Sequence, residues 1–304
     1  MHPRDLEEAG LSGRFAPSPT SALHLGNLRT ALVAWLLART TGREFRLRIE
    51  DLDVARVAAA PEVAAQQVDD LLALGLDFDG EVIWQSARVD AYAEAVGRLE
   101  TYECFCTRRE IAEAASAPHG DGYRPYPGTC RALSAAARER LRQTRPPALR
   151  VRAAEDSSTV TDLWAGEVTG VVDDFVLVRN DGTYAYNLAV VVDDLAMGID
   201  QVCRGDDLLS SSPRQAWLAQ QLGGPAPVYA HVPLAVNASG KRLAKRDGAV
   251  TLADLAVTGV TPAEALSRIA ASLELATPGE PVTPEQLLIR FDPDELPRQP
   301  WLVA

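Results

Sequence analysis

Residues 13–27, GRFAPSPTSALHLGN, place two prolines and a glycine around His24, directly before a long apolar run. The prolines fix φ and stiffen the segment, and Gly26 lacks a Cβ where a ligand could lie against the backbone. His24 can donate a hydrogen bond to a phosphate oxygen, and free N–H groups at the start of a following helix favour an anion. The pattern predicts a turn that positions the phosphate of a nucleotide. The tetrapeptide HLGN alone also fits a turn with a surface histidine.

A second candidate for phosphate chemistry lies about 200 residues further along the chain. In residues 239–250, SGKRLAKRDGAV, two glycines flank a segment with four cationic side chains, Lys241, Arg242, Lys245 and Arg246. Such cations can neutralise the charge that develops on a transferring phosphoryl group and on a departing pyrophosphate. The segment therefore predicts a mobile basic loop that takes part in phosphoryl transfer. The alternative is a solvated basic loop without a ligand.

Three of the four cysteines lie in one segment. Cys104 and Cys106 form a C-x-C pair, and Cys130 follows in YPGTC. Three thiols make a tetrahedral Zn²⁺ site that lacks one ligand, and His119 is the favoured fourth ligand on chemistry alone. The usual C-x₂-C spacing is absent, so three reduced structural cysteines are the alternative. We expect Cys203, in an apolar strand, to be a core residue.

These candidate sites need elements that bring them together. The opening indicates a strand over 12–16, a helix over 26–42 that ends at Gly42, a strand over 43–51 with alternating apolar residues, and a helix over 60–75. This β-α-β-α order is typical of a parallel, doubly wound sheet, in which ligands bind at the carboxyl ends of the strands. His24 lies at such a strand-to-helix junction.

The middle and the end of the chain have a different pattern. From about 101 to 150, cysteine, proline, glycine and arginine replace the regular periodicity, which indicates an insertion rather than another sheet layer. Residues 168–182 and 185–199 are predicted to be strand-rich, with NDG at 180–182 as a hairpin turn. A helix is predicted over 211–224, and the tail after Val250 indicates helices broken by proline-rich turns.

Size and composition limit the class of protein. A chain of 304 residues has room for about two domains, and 47% hydrophobic and 24% charged residues are ordinary values for a globular protein. The net charge of −12 argues against a general nucleic-acid coat, so any nucleic-acid partner should bind at a restricted patch. No apolar stretch approaches the ~20 residues that cross a bilayer, and the acidic N-terminus does not look like a secretory signal. We expect a cytoplasmic protein with no membrane partner.

Several motifs together resemble one enzyme family. The segments PSPTSALHLGN and KRLAKRDGAV resemble the HIGH and KMSKS signatures of class I aminoacyl-tRNA synthetases. The glutamyl/glutaminyl branch is indicated by RFAPSPT, LRIEDLD, YNLAVVVDD, RGDDLL and PRQ, in the same order, so that the resemblance covers roughly residues 12–250. It implies an α/β fold of the class I synthetase type, with a Rossmann-type parallel sheet, a zinc-containing insertion and a small C-terminal helical unit. The implied reaction is the ATP-dependent activation of L-glutamate to glutamyl-adenylate.

The resemblance also implies residue roles. The catalytic residues would be His24 and Lys245. The ATP-binding residues would be Pro17, His24, Gly26, Asn27, Arg242 and Lys245, and the glutamate-binding residues would be Arg14, Phe15, Ala16, Pro17, Ser18, Glu50, Tyr186 and Arg204. One structural Zn²⁺ would be held by Cys104, Cys106, Tyr126 and Cys130, and Mg²⁺ would enter with ATP as the substrate.

The chemistry of glutamate fits these residue types but leaves alternatives. Glutamate has two carboxylates and an ammonium group, so its pocket needs cations and an acid, and the planar fork of arginine meets a carboxylate with two hydrogen bonds. Glu50 could instead be a strand-end carboxylate that pairs with Arg48. Tyr186 could be a half-buried strand aromatic. For Arg204 the alternative is a surface ion pair with one of the two aspartates that follow it, at 206 and 207.

The chain departs from the two signatures at one position each. Asn27 stands where the first signature ends in histidine, and asparagine is common there in the glutamyl/glutaminyl branch. Ala244 stands where the second signature has serine, which removes a hydroxyl contact from the loop. Lys245 is retained, so we expect an active enzyme.

The implied domain plan has four parts: the first half of the catalytic domain at 1–100, a zinc-binding, acceptor-contacting insertion at 101–190, the second half at 191–250, and a helical unit at 251–304. Only 54 residues follow Val250, whereas a further domain typically needs ~100 residues. We therefore expect that the anticodon-binding domain of full glutamyl-tRNA synthetases is absent.

This architecture resembles the glutamyl-queuosine tRNA(Asp) synthetase family, which transfers glutamate to the queuosine base in the anticodon of tRNA(Asp). The implied partners are L-glutamate, ATP and tRNA(Asp) bearing queuosine, and we expect a monomer. Two alternatives stay open at this stage. One is a truncated glutamyl-tRNA synthetase that charges a tRNA 3′ end, and the other is a non-catalytic, synthetase-like RNA-binding regulator.

Overall fold

A computed structural model of the protein describes residues 11–53, 57, 60–107, 109–111, 124–237, 239–240, 243 and 250–303. The elements of the first hundred residues alternate as predicted. In chain order they are β1 (Ser12–Phe15), α1 (Leu25–Thr40), β2 (Glu44–Ile49), α2 (Ala60–Ala73), β3 (Ile83–Trp84) and α3 (Val89–Gly97). The predicted opening of strand, helix, strand and helix is confirmed, and Gly42 follows α1 with the positive φ of 69° that a helix-ending glycine adopts.

The second part of the chain contributes strands to two sheets and several helices. In chain order its elements are β4 (Thr101–Cys104), α4 (Ala135–Arg142), β5 (Ala148–Val151), β6 (Ser157–Asp162), β7 (Gly166–Val171), β8 (Val176–Val178), α5 (Tyr186–Ala196), β9 (Ile199–Gly205), α6 (Ser212–Gln221), β10 (Val228–Val232), β11 (Ala235–Val236), α7 (Leu252–Val257), α8 (Pro262–Ser272), α9 (Pro284–Arg290) and β12 (Trp301–Leu302). The predicted helix over 211–224 corresponds to α6.

One secondary-structure prediction is wrong. Residues 185–199 were predicted to be strand-rich, but most of this segment forms helix α5, and β9 begins only at Ile199. The run Val190–Val192 has a strong intrinsic preference for strands. The helix forms because it packs between α3 and α6 and buries residues on most of its circumference, which also hides the helical periodicity. The predicted turn at 180–182 is present, and it joins β8 to a single bridge between Val178 and Tyr184.

The central sheet has seven strands in the order β3-β2-β1-β9-β10-β6-β7. All neighbouring pairs are parallel except β6 and β7, which form an antiparallel hairpin. The prediction of an α/β fold with a mostly parallel sheet is therefore confirmed. Because parallel strands end at the same edge, the residues that follow β1 and β2 and the last residues of β6, β9 and β10 meet at one edge of the sheet.

A second sheet belongs to the cysteine-containing segment. It has three antiparallel strands in the order β4-β5-β8, and Cys104 is the last residue of β4. The intervening strands β6 and β7 join the central sheet instead, so the region 101–190 is shared between the two sheets. The boundaries of the four-part domain plan stay a prediction.

The C-terminal region is helical and packs against α1 and the central sheet. A threonine directly precedes each of α7, α8 and α9 and caps it, because its hydroxyl accepts an N–H of the first turn; these residues are Thr251, Thr261 and Thr283. Their buried apolar residues share one core cluster with α1 and β2. Most residues of α1 are buried in this core. Among the described helices, none combines the length and the apolar character needed to cross a membrane. The C-terminal helices therefore brace the helix that carries His24 at its start.

Candidate functional site

The loop after β1 is held in place by three hydrogen bonds from two residues. The backbone N–H of Glu50 donates to the Pro17 carbonyl at 2.9 Å. The Gln67 amide, which is 1% exposed, donates to the carbonyl oxygens of Ser18 and Ser21 at 3.1 and 2.8 Å. Gln67 was not predicted as a site residue. Its signal in the sequence is a polar residue on the buried side of an otherwise amphipathic helix, and its role is to fix a segment predicted to bind ligand.

His24 forms the N-terminal cap of α1. Its Nδ1 accepts the Asn27 N–H at 3.2 Å, and the Asn27 side-chain oxygen accepts the His24 N–H at 3.2 Å. Because Nδ1 is an acceptor, a neutral His24 ring carries its proton on Nε2. The N–H groups of Asn27 and Leu25 are bonded to His24 and Val250, so the prediction of free helix-start donors is wrong for these two. The His24 ring lies at the start of a helix, where the helix dipole favours an anion.

The two distant signatures meet at this point. The Leu25 N–H donates to the Val250 carbonyl at 2.9 Å, and His24 forms an antiparallel bridge with Thr251. A Cβ on Gly26 would lie 2.7 Å from the Ala235 side chain and 3.0 Å from the His24 ring. The glycine therefore permits the close approach of β11 as well as any ligand. The predicted site residues Arg242 and Lys245, and the substituted position Ala244, lie outside the described residues.

Arg14 belongs to a buried ion-pair cluster. Its guanidinium donates to the two carboxylate oxygens of Asp194, at 3.3 and 3.5 Å, and to the Cys203 carbonyl at 3.2 Å. Arg48, which is fully buried, donates to Asp194 at 2.6 Å and to Glu50 at 3.1 Å. Burial raises the pKa of Asp194, but the charges of Arg14 and Arg48 outweigh it and the pKa is lowered. Arg14 thus already has a carboxylate partner, which the sequence did not predict.

Glu50 lies directly after β2 and is nearly buried. It pairs with Arg48, as one reading of the sequence proposed. Burial raises its pKa above the ordinary 4.5, and this effect exceeds the opposing effects of Arg48 and Arg14. The side chain combines a negative charge with a shielded position at the carboxyl edge of the sheet. That combination suits a contact with an ammonium group.

Arg204 has a different environment. It is 6% exposed, and all of its bonds go to uncharged groups: Nε donates to His231 Nε2 at 3.1 Å, Nη1 to the Gln215 side chain at 2.7 Å, and Nη2 to the Ser212 hydroxyl at 2.8 Å and the Leu208 carbonyl at 3.3 Å. In the described part of the chain no carboxylate lies within ion-pair distance of it. The alternative of a surface ion pair with Asp206 or Asp207 is wrong.

Tyr186 is the first residue of α5 rather than a strand residue, and 36% of its surface is exposed. Burial of the hydroxyl end raises its pKa, and the charges of Arg204, Glu50, Arg14 and Asp194 also act on it. The hydroxyl therefore lies within electrostatic reach of all four groups. Of the other residues predicted to bind glutamate, Phe15 and Pro17 are buried, Ala16 is partly exposed and Ser18 is exposed. The Phe15 side chain packs in the main apolar core.

The cysteine segment brings four donor atoms together. The sulfur atoms of Cys104, Cys106 and Cys130 all lie within 4.8 Å of one another. The Tyr126 hydroxyl lies 3.4 Å from Cys104 Sγ and 3.7 Å from Cys106 Sγ, and Cys106 Sγ lies 3.6 Å from Cys130 Sγ. A tetrahedron with Zn–S bonds of 2.3 Å has S···S edges of roughly 3.8 Å, so these donors fit zinc. His119 lies outside the described residues.

The chain matches a known family and named relatives. The family model for class I tRNA synthetases (E and Q), catalytic domain, matches residues 11–273. The Glutamyl-Q tRNA(Asp) synthetase of Nocardia farcinica is 56% identical over 97% of this chain and 94% of its own length. The enzyme of the same name from Cutibacterium acnes is 55% identical over 94% of this chain and 85% of its own.

A solved structure has the same fold over nearly the whole chain. The glutamate tRNA ligase from Elizabethkingia meningosepticum, in complex with its amino acid, superposes with a TM-score of 0.79 at 27% identity. The match covers 98% of this chain and 67% of that one. The likeness extends through the central sheet, the cysteine segment and the C-terminal helices.

Proposed function

We propose that the chain, which belongs to the class I tRNA synthetase (E and Q) family, transfers glutamate to the queuosine base of tRNA(Asp). The protein is an aminoacyl-tRNA-synthetase-like ligase that uses ATP. The first step would join L-glutamate to ATP as glutamyl-adenylate with release of pyrophosphate. The second would pass the glutamyl group to a hydroxyl of queuosine with release of AMP. The relatives at 55–56% identity, both named Glutamyl-Q tRNA(Asp) synthetase, support this acceptor.

One observation carries the proposal for the first step. His24 and the end of the basic segment meet through the bond from Leu25 to Val250, and Glu50, Tyr186 and Arg204 converge at the same edge of the sheet. In this arrangement Arg204 offers positive charge to a glutamate carboxylate, and Glu50 offers negative charge to the ammonium group. Arg14 adds positive charge that Asp194 partly offsets. Phe15, Ala16, Pro17 and Ser18 would supply the adjoining backbone wall.

The nucleotide would bind beside this pocket at the start of α1. A glutamate carboxylate oxygen attacks the α-phosphorus, the bond to the bridging oxygen breaks, and pyrophosphate leaves. The work of the protein is alignment and charge stabilisation. His24 would donate its Nε2 proton to a phosphate oxygen, and Lys245 and Arg242 would neutralise the pyrophosphate. Pro17, Gly26 and Asn27 would shape the ATP site, and Mg²⁺ would enter with ATP.

The cysteine segment would hold one structural Zn²⁺ through the three thiolates of Cys104, Cys106 and Cys130 and the Tyr126 oxygen. The ion would stabilise the antiparallel sheet β4-β5-β8 without entering the reaction. Zinc analysis of Cys104→Ser tests this: we expect the content to fall from about one ion per chain to a small fraction. Cys203→Ser is the matched control, because Cys203 is buried in the central core, and it should retain the metal. Unchanged zinc in Cys104→Ser would remove this residue from the ligand set.

Acylation assays test the acceptor. We expect glutamate to be attached to tRNA(Asp) that carries queuosine and not to the unmodified transcript. The modified tRNA should still be acylated after removal of its 3′-terminal adenosine, because the queuosine diol supplies the hydroxyl. Equal charging of the unmodified tRNA, lost on removal of the 3′ adenosine, would identify a truncated glutamyl-tRNA synthetase instead. Absence of glutamate-dependent exchange of pyrophosphate into ATP would identify a non-catalytic protein. A cytoplasmic location and a monomeric state also stay proposals.

A further inference from the structure

We propose that Asp162 and His231 are positioning residues that orient Arg204 for the carboxylate of glutamate, a role that rests on the proposed function of Arg204. The three side chains stand at the carboxyl ends of three adjacent parallel strands, β6, β10 and β9. His231 is the direct register partner of Arg204. Parallel partners project from the same face of the sheet, so the imidazole ring lies beside the guanidinium.

The hydrogen bonds define a single proton arrangement. Arg204 Nε can only donate, so His231 Nε2, at 3.1 Å, must be the acceptor. A neutral ring then carries its proton on Nδ1, which lies 2.6 Å from Asp162 Oδ2 and donates to that carboxylate. His231 is 5% exposed and Asp162 is 2% exposed. Asp162 therefore fixes the tautomer of His231, and the tautomer fixes the acceptor for Arg204.

The pKa shifts agree with a neutral ring between a carboxylate and a guanidinium. Burial lowers the pKa of His231, and the charge of Arg204 adds to this effect, whereas Asp162 and Asp206 oppose it. The pKa of Asp162 is also lowered: burial would raise it, but hydrogen bonds from His231 and from two backbone amides prevail. A protonated His231 would point an N–H at the Arg204 Nε–H. The arrangement holds only while the imidazole stays neutral.

The remaining contacts of Arg204 limit what it can offer a ligand. Of its five N–H groups, one is bonded to His231, one to Gln215 and two, on Nη2, to Ser212 and Leu208. One N–H on Nη1 is left for a ligand. Arg204 would therefore bind a glutamate carboxylate through a single hydrogen bond and not through a bidentate pair. Because one hydrogen bond depends on its direction, a small rotation of the guanidinium would weaken the binding of glutamate.

The replacement Asp162→Asn tests the tautomer directly. Asp162 Oδ1 accepts the N–H groups of Trp164 and Ala165, at 2.9 and 2.8 Å. These two donors require the asparagine oxygen to occupy the same place, so its NH₂ group must face His231 Nδ1. The ring then has to accept at Nδ1 and carry its proton on Nε2, opposite the Arg204 Nε–H. Two donors would face each other, and Arg204 would turn away.

We expect Asp162→Asn to raise the KM for glutamate in ATP–pyrophosphate exchange roughly tenfold or more, with the KM for ATP little changed. Asp200→Asn is the matched control. It makes the same chemical change on β9 but removes only the ion pair with Arg43, and it should leave both constants unchanged. His231→Gln keeps an acceptor oxygen for Arg204 and should raise the glutamate KM less than Asp162→Asn.

Nitrogen-15 NMR of the imidazole reports the tautomer of His231, which would not change if Asp162 had only a structural role. The chain has four histidines, so the His231 signals can be assigned by its replacement. We expect a protonated Nδ1 in the wild type and a protonated Nε2 in Asp162→Asn. A protonated Nε2 in the wild type, or an unchanged glutamate KM in a variant whose tautomer has switched, would overturn the proposal. An unchanged KM in Arg204→Met would instead overturn the role of Arg204 in the proposed function.

Discussion

Two groups of buried arginines border the candidate pocket, and they differ in what balances their charge. Arg14 and Arg48 share Asp194 and lie beside Glu50, so their charges are neutralised within the fold. Arg204 is equally shielded, yet its partners are an imidazole, an amide, a hydroxyl and a carbonyl. The comparison separates arginines that are paired with carboxylates inside the fold from an arginine whose charge, in the proposed function, pairs with a ligand.

The difference follows from the cost of burying charge. A buried cation without a carboxylate loses hydration that neutral hydrogen bonds only partly replace. A bound glutamate would return the missing opposite charge at Arg204, so the free energy of that contact appears as substrate affinity. At Arg14 and Arg48 the same contact is already made by Asp194 and appears as stability of the fold. Burial alone therefore does not identify a ligand-binding arginine. At Arg204 the proposal rests on burial without a carboxylate together with its position at the carboxyl edge of the sheet, beside Glu50 and Tyr186.

The largest effect should come from Arg48→Met, which acts on the neutralised group. Arg48 touches Asp194 and Glu50 and lies 3.8 Å from Asp193. Its loss leaves buried carboxylates without their shared cation, and we expect about 3–5 kcal/mol less free energy of unfolding in urea titrations. Arg43→Met is the control, since the partly exposed pair with Asp200 should contribute at most about 1 kcal/mol. Similar losses in both variants would remove the distinction between the two arginine groups.

A smaller loss of stability but a clear loss of affinity is expected from Arg204→Met. No buried carboxylate loses an ion-pair partner, so the free energy of unfolding should fall by less than in Arg48→Met. The glutamate KM in the exchange reaction should rise at least about 30-fold, which corresponds to the ~2 kcal/mol of a desolvated charge contact. Retention of wild-type affinity would mean that the charge of Arg204 is not reserved for glutamate.

Acid should affect the pocket before it affects the neutralised cluster. The raised pKa of Glu50 means that its carboxyl gains a proton above pH 4.5, and the ammonium group of glutamate then loses its partner. The pKa of Asp194 is lowered below 3.8, so its ion pairs stabilise the fold above that pH and are lost only as the pH falls through the lowered value. Titration calorimetry and scanning calorimetry should show that, as the pH falls, glutamate affinity declines at a higher pH than the unfolding temperature does. Loss of glutamate affinity and of fold stability at the same pH would contradict this order. In Glu50→Gln, glutamate affinity should not show the part of the pH dependence that comes from protonation of Glu50.

Local pattern was sufficient for much of the fold and for the placement of His24 and Glu50 beside the elements α1 and β2. The helix that starts after His24 and the alternating strand before Glu50 were both predictable, because one has a cap and an apolar run and the other a period of two. The segment 185–199 was not, because its valines favour a strand while its neighbours α3 and α6 impose a helix. Tertiary packing outweighed intrinsic preference there.

The partners of the site residues were harder to predict than the residues themselves. Asp194 lies in the YNLAVVVDD motif, but its contact with Arg14 joins residues 180 positions apart. The link from Arg204 through His231 to Asp162 depends on the register of three parallel strands, which a single sequence does not encode locally. A histidine inside the apolar strand VYAHV was the only local signal. Motifs thus indicate the candidate site residues, and strand register determines which residues hold them.

A crystal structure of the protein with L-glutamate and a non-hydrolysable ATP analogue tests the central claim most directly. We expect a glutamate carboxylate oxygen at about 3 Å from Arg204 Nη1, with Arg14 still bonded to Asp194 and the nucleotide at the start of α1. A glutamate whose carboxylates contact Arg14 in place of Asp194 and leave Arg204 without an anion would contradict the account.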